Sequence, residues 1–74
     1  MNYNIGVKLK NLRKSGKLTL KQVATATGFS LALISQIENG KITPPIPTLA
    51  RLARYYRVEI GFFFVEEDER HCMK

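Results

Sequence analysis

Hydrophobic and polar residues alternate along this chain with the period of an α-helix, and short polar turns interrupt the pattern. Apolar residues recur every three or four positions in four stretches, which predict helices over residues 5–15, 20–27, 31–39 and 46–56. A fifth short helix is predicted over residues 60–64. Because no stretch has the two-residue period of a strand, the sequence predicts an all-α bundle of five helices.

Cap and turn residues mark the ends of the predicted helices. Asn4, Thr19 and Ser30 are predicted N-caps, because their side-chain oxygens can accept a backbone N–H of the first turn. Gly28 provides the left-handed residue that ends the second helix, and only Phe29 and Ser30 precede the third. Helices joined so closely cross at a steep angle, and the outer face of the third then projects from the body. This arrangement is typical of a helix-turn-helix, whose second helix lies in the DNA major groove.

The inner faces of the predicted helices account for a small core. The side chains that face inward at helical spacing are Ile5, Leu9, Leu12, Val23, Ala24, Ile34, Ile37, Leu49, Leu52, Ala53 and Tyr56. The last predicted helix carries Phe62, Phe63 and Phe64, which is more apolar bulk than five residues can bury in their own domain. We expect two of these rings in the core and the third at the surface, where exposed apolar patches mark contacts.

Length and composition allow one small domain, predicted over residues 1–65, with an acidic tail over 66–74 that we expect to fray. No apolar run reaches the roughly 18 residues of a membrane span, and the N-terminus lacks the apolar centre of a signal peptide. Together with a single cysteine, Cys72, these features predict a cytoplasmic protein. His71 and Cys72 lack further ligands at metal spacing, and no catalytic set is present. We therefore expect no enzymatic activity, cofactor, metal or small-molecule site.

Charge is divided unevenly along the chain, whose formal net charge is +6. Residues 1–58 contain ten Lys and Arg and a single acid, Glu38, which gives +9. Residues 59–74 contain five acids and two bases, which gives −3. A compact domain with such a basic excess attracts polyanions. Because the predicted helix-turn-helix lies inside the basic segment, double-stranded DNA is the predicted partner.

The helix-turn-helix also resembles a known family. The residues that carry the resemblance are Ile5, Gly6, Arg13, Ala24, Gly28, Ser30, Ile34, Ser35, Ile37, Glu38, Asn39, Gly40, Lys41, Val58 and the run at 44–49. They are similar to phage-repressor-type regulators, the Cro/repressor or xenobiotic-response-element family, and most similar to the DNA-binding domain of cupin-linked regulators. The resemblance implies a repressor-like helical fold and a sequence-specific transcriptional regulator, a repressor acting as a homodimer.

The outward face of the third predicted helix is the expected surface for reading bases. Its members are Ser30, Leu31, Ala32, Ser35, Gln36 and Asn39. Gln36 is the most informative, because its amide can pair in a bidentate manner with adenine, whereas Leu31 and Ala32 offer thymine methyl groups only apolar contact. Family members usually carry Arg, Ser, Thr or Gln at positions 31–33, so the expected readout is sparse in hydrogen bonds.

Residues around this face are the expected phosphate contacts. The candidates are Lys8, Lys14, Lys17, Thr19, Lys21 and Lys41, whereas Arg51, Arg54 and Arg57 are expected to be mostly solvated. Lys41 directly follows the reading helix, and Thr19 with the amides of the second helix can hold a phosphate at the positive end of the helix dipole. Two positions depart from the family: Leu20 replaces a common Gln, and Gly16 and Lys17 reverse the usual Lys-Gly order.

Arg13 and Glu38 are expected to form a structural ion pair. In the family that the motif resembles, an Arg at this place in the first helix pairs with the Glu of the IENG motif. The chemistry agrees, because an anion near the C-terminal end of a helix is unfavourable without a cation.

A homodimer is predicted because a single reading helix contacts only a few base pairs, too few to select one genomic site. A two-fold dimer would place two such helices about 34 Å apart. Its interface is predicted at Ile60, Phe62 and Phe64, with Tyr55 or Tyr56, because this apolar segment is remote from the reading helix.

Two other interpretations stay open. The same domain alone serves as an antitoxin or as a restriction-system controller. A protein-interaction adaptor that has lost DNA binding is favoured by the apolar residues Leu31, Ala32 and Leu33 and disfavoured by the charge excess.

Overall fold

The computed structural model describes residues 4–65, which form four α-helices and a C-terminal 3₁₀ helix. The α-helices are α1 (Ile5–Ser15), α2 (Leu20–Thr27), α3 (Leu31–Glu38) and α4 (Ile46–Tyr56), and the 3₁₀ helix spans Ile60–Phe64. The all-α class is confirmed, and the fifth predicted helix is a 3₁₀ helix. The predicted tail at residues 66–74 lies outside the described residues.

The core lies where α1, α2 and α4 meet the inner face of α3 and the 3₁₀ helix. The buried apolar residues are Leu9, Val23, Ala24, Ile34, Ile37, Leu49, Leu52, Ala53 and Phe63. Three further residues predicted to face inward, Ile5, Leu12 and Tyr56, are partly buried at the edge of this cluster. The helical periodicity therefore predicted most of the core.

Gly6 allows α1 to lie directly against the end of α3. A Cβ at this position would lie 2.9 Å from the carbonyl oxygen of Glu38 and closer still to that of Ile37. No real Cβ tolerates such distances to backbone atoms, so any other residue would push the two helices apart. This close approach places Arg13, farther along α1, beside Glu38.

The predicted cap of α1 is wrong. Asn4 has a left-handed backbone (φ 50°, ψ 44°), and its side chain makes no cap hydrogen bond to the helix. A capping side chain reaches the first-turn N–H groups from an extended backbone, which Thr19 (φ −88°) and Ser30 (φ −78°) both adopt. The Asn4 carbonyl accepts the N–H of Lys8 at 3.0 Å.

A residue with a left-handed backbone follows each of the four α-helices. Gly28 (φ 81°) and Arg57 (φ 62°) come directly after α2 and α4, whereas Lys17 (φ 57°) and Gly40 (φ 76°) come one residue later, after the caps of α1 and α3. A residue with a Cβ pays about 1 kcal/mol or more for this conformation, whereas glycine adopts it freely. The ends of α1 and α4 are therefore strained in a way that the ends of α2 and α3 are not.

Of the three consecutive phenylalanines, only Phe63 is buried, while Phe62 and Phe64 are 43% and 37% exposed. The expectation that two of the three rings lie in the core was wrong. A 3₁₀ helix has three residues per turn, so successive side chains point about 120° apart and only one of three can face inward.

Candidate nucleic-acid interface

The turn between α2 and α3 consists of Gly28, Phe29 and Ser30. The Gly28 N–H donates to the Ala24 carbonyl at 2.9 Å, and its left-handed backbone reverses the chain. Phe29 packs partly buried against the core at the corner. Ser30 then caps α3, because its Oγ accepts the N–H of Leu33 at 3.0 Å. The helix-turn-helix predicted from the sequence is confirmed.

The two sides of α3 differ sharply in exposure. Ile34, Ile37 and Glu38 are buried. The opposite side carries all six residues predicted to contact bases, namely exposed Ser30, Leu31, Ala32, Gln36 and Asn39 and the partly buried Ser35. The structure therefore brings the predicted set together on one strip, which we call the α3 face.

Hydrogen bonds within the α3 face leave one amide open. Asn39 Nδ2 donates to Ser35 Oγ at 3.3 Å, which ties two of the predicted residues to each other. Gln36 is exposed, and its amide makes no hydrogen bond among the described residues 4–65. The Leu31 side chain is 50% exposed. Gln36 and Leu31 are therefore the two groups most available to an outside ligand.

The first turn of α2 is closed by a reciprocal capping box. Thr19 Oγ1 accepts the Gln22 N–H at 3.0 Å, and Gln22 Oε1 accepts the Thr19 N–H at 2.7 Å. The N–H groups of Leu20 and Lys21 remain without an intrahelical acceptor at the positive end of the helix dipole. Gln22 was not among the residues predicted from the sequence, although the Thr-x-x-Gln spacing is the signal of such a box.

The basic residues predicted to contact phosphates fall into two groups. Lys14, Lys17, Lys21 and Lys41 are exposed. Lys8 is only 8% exposed, and its ammonium donates to the backbone carbonyls of Phe62 (3.4 Å) and Val65. The prediction for Lys8 was wrong, because a lysine can bury its aliphatic stem when carbonyl oxygens take its protons.

Arg13 and Glu38 form an ion pair between α1 and α3. Arg13 Nε lies 3.1 Å from Glu38 Oε1 and 2.9 Å from Oε2, and Arg13 Nη1 donates to the Leu18 carbonyl at 2.9 Å. The side chains are only 12% and 5% exposed. The hydrogen bond to Glu38 raises the pKa of the Arg13 guanidinium above its ordinary value. The pair neutralises Glu38, so exposed Glu59 is the remaining acid among residues 4–65.

Tyr56 lies beside this ion pair at the edge of the core. Burial raises the pKa of its phenol to about 12, and the negative charge of Glu38 adds to the effect. The neutral phenol is therefore the form that the fold accommodates.

The C-terminal end of the described chain carries a second exposed surface. Its exposed apolar side chains are Phe62, Phe64 and Val65, of which Val65 is 60% exposed, and we call these three the C-terminal apolar surface. Ile60, also predicted for a dimer interface, is only partly exposed, because it packs against the core. The Lys8 ammonium lies 5.7 Å from the centre of the Phe62 ring and holds this segment against α1.

Among residues 4–65, no group of three His, Cys, Asp or Glu residues lies close enough to hold a metal ion. The same residues include no helix that is long and apolar enough to cross a membrane. His71 and Cys72 lie outside the described residues.

Comparisons with known proteins agree with this geometry. The family model described as a helix-turn-helix domain matches residues 4–60. Two proteins of Bacillus subtilis (strain 168) are similar over most of the chain. The uncharacterized HTH-type transcriptional regulator RghRB is 46% identical over 54 residues, and the HTH-type transcriptional repressor RghR is 45% identical over 56. These matches cover 72% and 74% of this chain but only 39% and 42% of the relatives.

A solved structure shows the same fold. The crystal structure of an HTH_3 family transcriptional regulator from Vibrio cholerae superposes with a TM-score of 0.75 at 43% sequence identity. The match covers 82% of this chain and 34% of that protein, so the chain spans well under half the length of these relatives. From its matched family model, its relatives and its fold, this chain belongs to the helix-turn-helix family of transcriptional regulators.

Proposed function

We propose that this domain binds double-stranded DNA in a sequence-specific manner and acts as a transcriptional repressor in the form of a homodimer. The observation that carries the proposal is the α3 face, an uncharged strip with exposed lysines around it. Base edges are read by amides, hydroxyls and apolar contacts, whereas cations position the protein on phosphates. The relative named as a transcriptional repressor supports the regulatory part. A cytoplasmic location and the absence of catalysis belong to the same proposal.

Base readout in this proposal depends on few groups. The free amide of Gln36 pairs with an adenine, and the exposed Leu31 side chain packs on a thymine methyl group. The Ser35 hydroxyl, which accepts from Asn39 in the free domain, can still donate to a base or a phosphate. The preferred site should accordingly be rich in A·T pairs opposite α3.

Phosphate binding surrounds this strip. The four exposed lysines at 14, 17, 21 and 41, together with the free N–H groups at the start of α2, supply about five or six contacts per subunit. Each neutralised phosphate makes log affinity fall with log salt by about 0.9. Binding to any duplex should therefore weaken steeply as salt rises.

Dimerisation in this proposal uses the C-terminal apolar surface. A three-residue patch of Phe62, Phe64 and Val65 is small, but a two-fold axis doubles it and pairs each ring with its copy. In the sequence, this surface lies at the C-terminal end of the described chain, after the helix-turn-helix. DNA itself would hold two subunits together on a palindromic site.

One selection experiment tests the proposal. The 74-residue chain is used to select duplexes from a random pool, and the affinities for the selected site and for a shuffled duplex are measured over a range of salt concentrations. We expect a palindromic site, a preference of at least about 10³-fold and a steep salt dependence for both duplexes. Equal affinity for selected and shuffled duplexes would refute sequence-specific binding.

The adaptor remains the second candidate, because Leu31 is half exposed on the α3 face. An adaptor would bury Leu31 against a protein partner and would bind duplex DNA weakly, if at all. Salt-sensitive binding to the selected site at nanomolar to sub-micromolar protein excludes this alternative.

A further inference from the structure

Arg51 in α4 reaches across to the turn between α2 and α3. Its Nη1 donates to the Thr27 carbonyl at 3.1 Å, and its guanidinium carbon lies 5.2 Å from the centre of the Phe29 ring. The same Nη1 lies 3.7 Å from the point that a Cβ on Gly28 would occupy. One side chain from α4 therefore contacts Thr27 at the end of α2 and Phe29 in the turn, and it lies close to Gly28 between them.

The chemistry of this contact suits an arginine. The Thr27 carbonyl belongs to the last turn of α2, where carbonyls lack intrahelical donors and a cation is favoured by the helix dipole. The Thr27 hydroxyl is already bonded to the Val23 carbonyl at 2.7 Å, so the end of α2 is tied down on both sides. A guanidinium can hydrogen-bond in its plane and lie over an aromatic ring at once, which a lysine ammonium cannot do.

We propose that Arg51 is a positioning residue for DNA recognition, which fixes the angle at which α3 leaves α2. This inference rests on the proposed function. The α3 helix has eight residues, so a tilt of about 5° at the turn would move its far end by about 1 Å. Gln36 lies near that end and requires closer placement than this for a bidentate pair with a base. The competing explanation is that Arg51 contacts a phosphate like any surface cation.

The experiment compares three variants of the full chain, Arg51→Ala, Arg51→Lys and Arg54→Ala. Arg54 is an exposed arginine of the same helix, so its removal controls for the loss of charge. Affinities for the selected site and for a shuffled duplex are measured at several salt concentrations. We expect both Arg51 variants to reduce the ratio of the two affinities by roughly five- to tenfold. Arg54→Ala should leave this ratio unchanged.

The lysine variant decides between the two explanations. If Arg51→Lys keeps the full specificity ratio, or if Arg51→Ala weakens both duplexes equally and lowers the salt slope by about 1, Arg51 is a phosphate contact and the proposal is wrong. If the wild type shows no preference between the duplexes, the proposed function fails instead.

A measurement without DNA separates these failures. Amide hydrogen exchange at Gly28 and neighbouring turn residues is compared in the wild type, Arg51→Ala and Arg54→Ala. Loss of the brace should accelerate exchange by about fivefold or more in Arg51→Ala alone, because opening of the turn becomes easier. Unchanged exchange at the turn would show that Arg51 does not hold it and would overturn the proposal.

Discussion

Two of the surfaces that leave large apolar side chains in solvent differ in the groups that surround these side chains. On the α3 face, Leu31 lies among hydroxyl and amide groups on a helix capped by Ser30, with exposed lysines beyond. On the C-terminal apolar surface, Phe62 and Phe64 lie on a 3₁₀ helix that has no side-chain cap, and Val65 follows it. The area of exposed apolar surface alone therefore does not show which kind of partner binds there. The surrounding groups distinguish the two proposed partners, because DNA bases require hydrogen-bonding groups beside the apolar contact, whereas a second copy of an apolar patch does not.

The largest expected effect is a loss of stability that disrupts the α3 face and the C-terminal apolar surface together. Glu38→Gln should lower the free energy of unfolding by about 3–5 kcal/mol, because it leaves the Arg13 guanidinium largely buried without its counter-charge. Since the ion pair joins α1 to α3, DNA binding and self-association should be lost in parallel. Urea and thermal unfolding measure the change, and Glu59→Gln removes an exposed acid as the control. A Glu38→Gln protein that melts within a degree or two of the wild type would contradict this expectation.

The next expected effect is a loss of dimerisation without a loss of contact between the α3 face and DNA. The double substitution Phe62→Glu and Phe64→Glu should abolish the dimer, because four carboxylates cannot be buried at one two-fold axis. Apparent affinity for a palindromic site should fall by about 100-fold, while affinity for a single half-site stays the same.

Sedimentation and half-site binding test this separation. Val7→Glu is the matched control, because Val7 is an exposed apolar residue of α1 outside the C-terminal apolar surface. A wild type that stays monomeric at high micromolar concentration, both free and on the palindromic site, would remove the dimer from the proposal.

A somewhat smaller effect on DNA affinity is expected from substitutions at and beside the α3 face. Gln36→Ala should cost about 1–3 kcal/mol on the selected site and relax the preference at one base pair, without a change in oligomeric state. Lys41→Ala should instead weaken binding to all duplexes alike and lower the salt slope by about 1. Fluorescence anisotropy with selected and shuffled duplexes measures both. Identical effects of the two substitutions would show that Gln36 contacts phosphate and not a base.

The smallest expected effect concerns the phenol of Tyr56, beside the ion pair of Arg13 and Glu38. Because burial in the folded state raises the Tyr56 pKa from 10.0 to about 12, the stabilisation that this shift provides is complete below pH 10. It is lost as the pH rises from 10 through 12, so the free energy of unfolding should decline over this range. Tyr56→Phe should remove that part of the decline, and Tyr55→Phe is the matched control. Equal alkaline slopes for the wild type and Tyr56→Phe in urea unfolding would contradict the assignment.

Much of the fold could be predicted from the sequence because local signals agreed with one another. The periodicity of α2 and α3, the caps at Thr19 and Ser30 and the glycine at 28 all pointed to one arrangement. Where the signals were not local, prediction failed. Residue type alone could not show that Asn4 adopts a left-handed backbone, or that a 3₁₀ geometry turns Phe62 and Phe64 outward.

The position of the candidate site was predictable to a similar extent. The outward face of α3 followed from helical spacing, so its six residues could be named in advance, and their contacts with bases stay a prediction. The burial of Lys8 and the reach of Arg51 depend on contacts between residues that are 54 and 24 positions apart in sequence. Such contacts leave no periodic trace, and a basic residue is otherwise expected in solvent.

The left-handed residues at the ends of α1 and α4 connect stability with affinity. Glycine at either position would relieve the strain and raise the melting temperature by several degrees, since about 1 kcal/mol corresponds to about 4–8 °C in a domain of this size. At Arg57 this gain should come without loss of DNA binding. At Lys17 the same change would also remove a proposed phosphate contact, so stability and affinity would move in opposite directions. If Lys17 contacts a phosphate as proposed, the lysine after α1 lowers thermal stability and raises DNA affinity at the same backbone position.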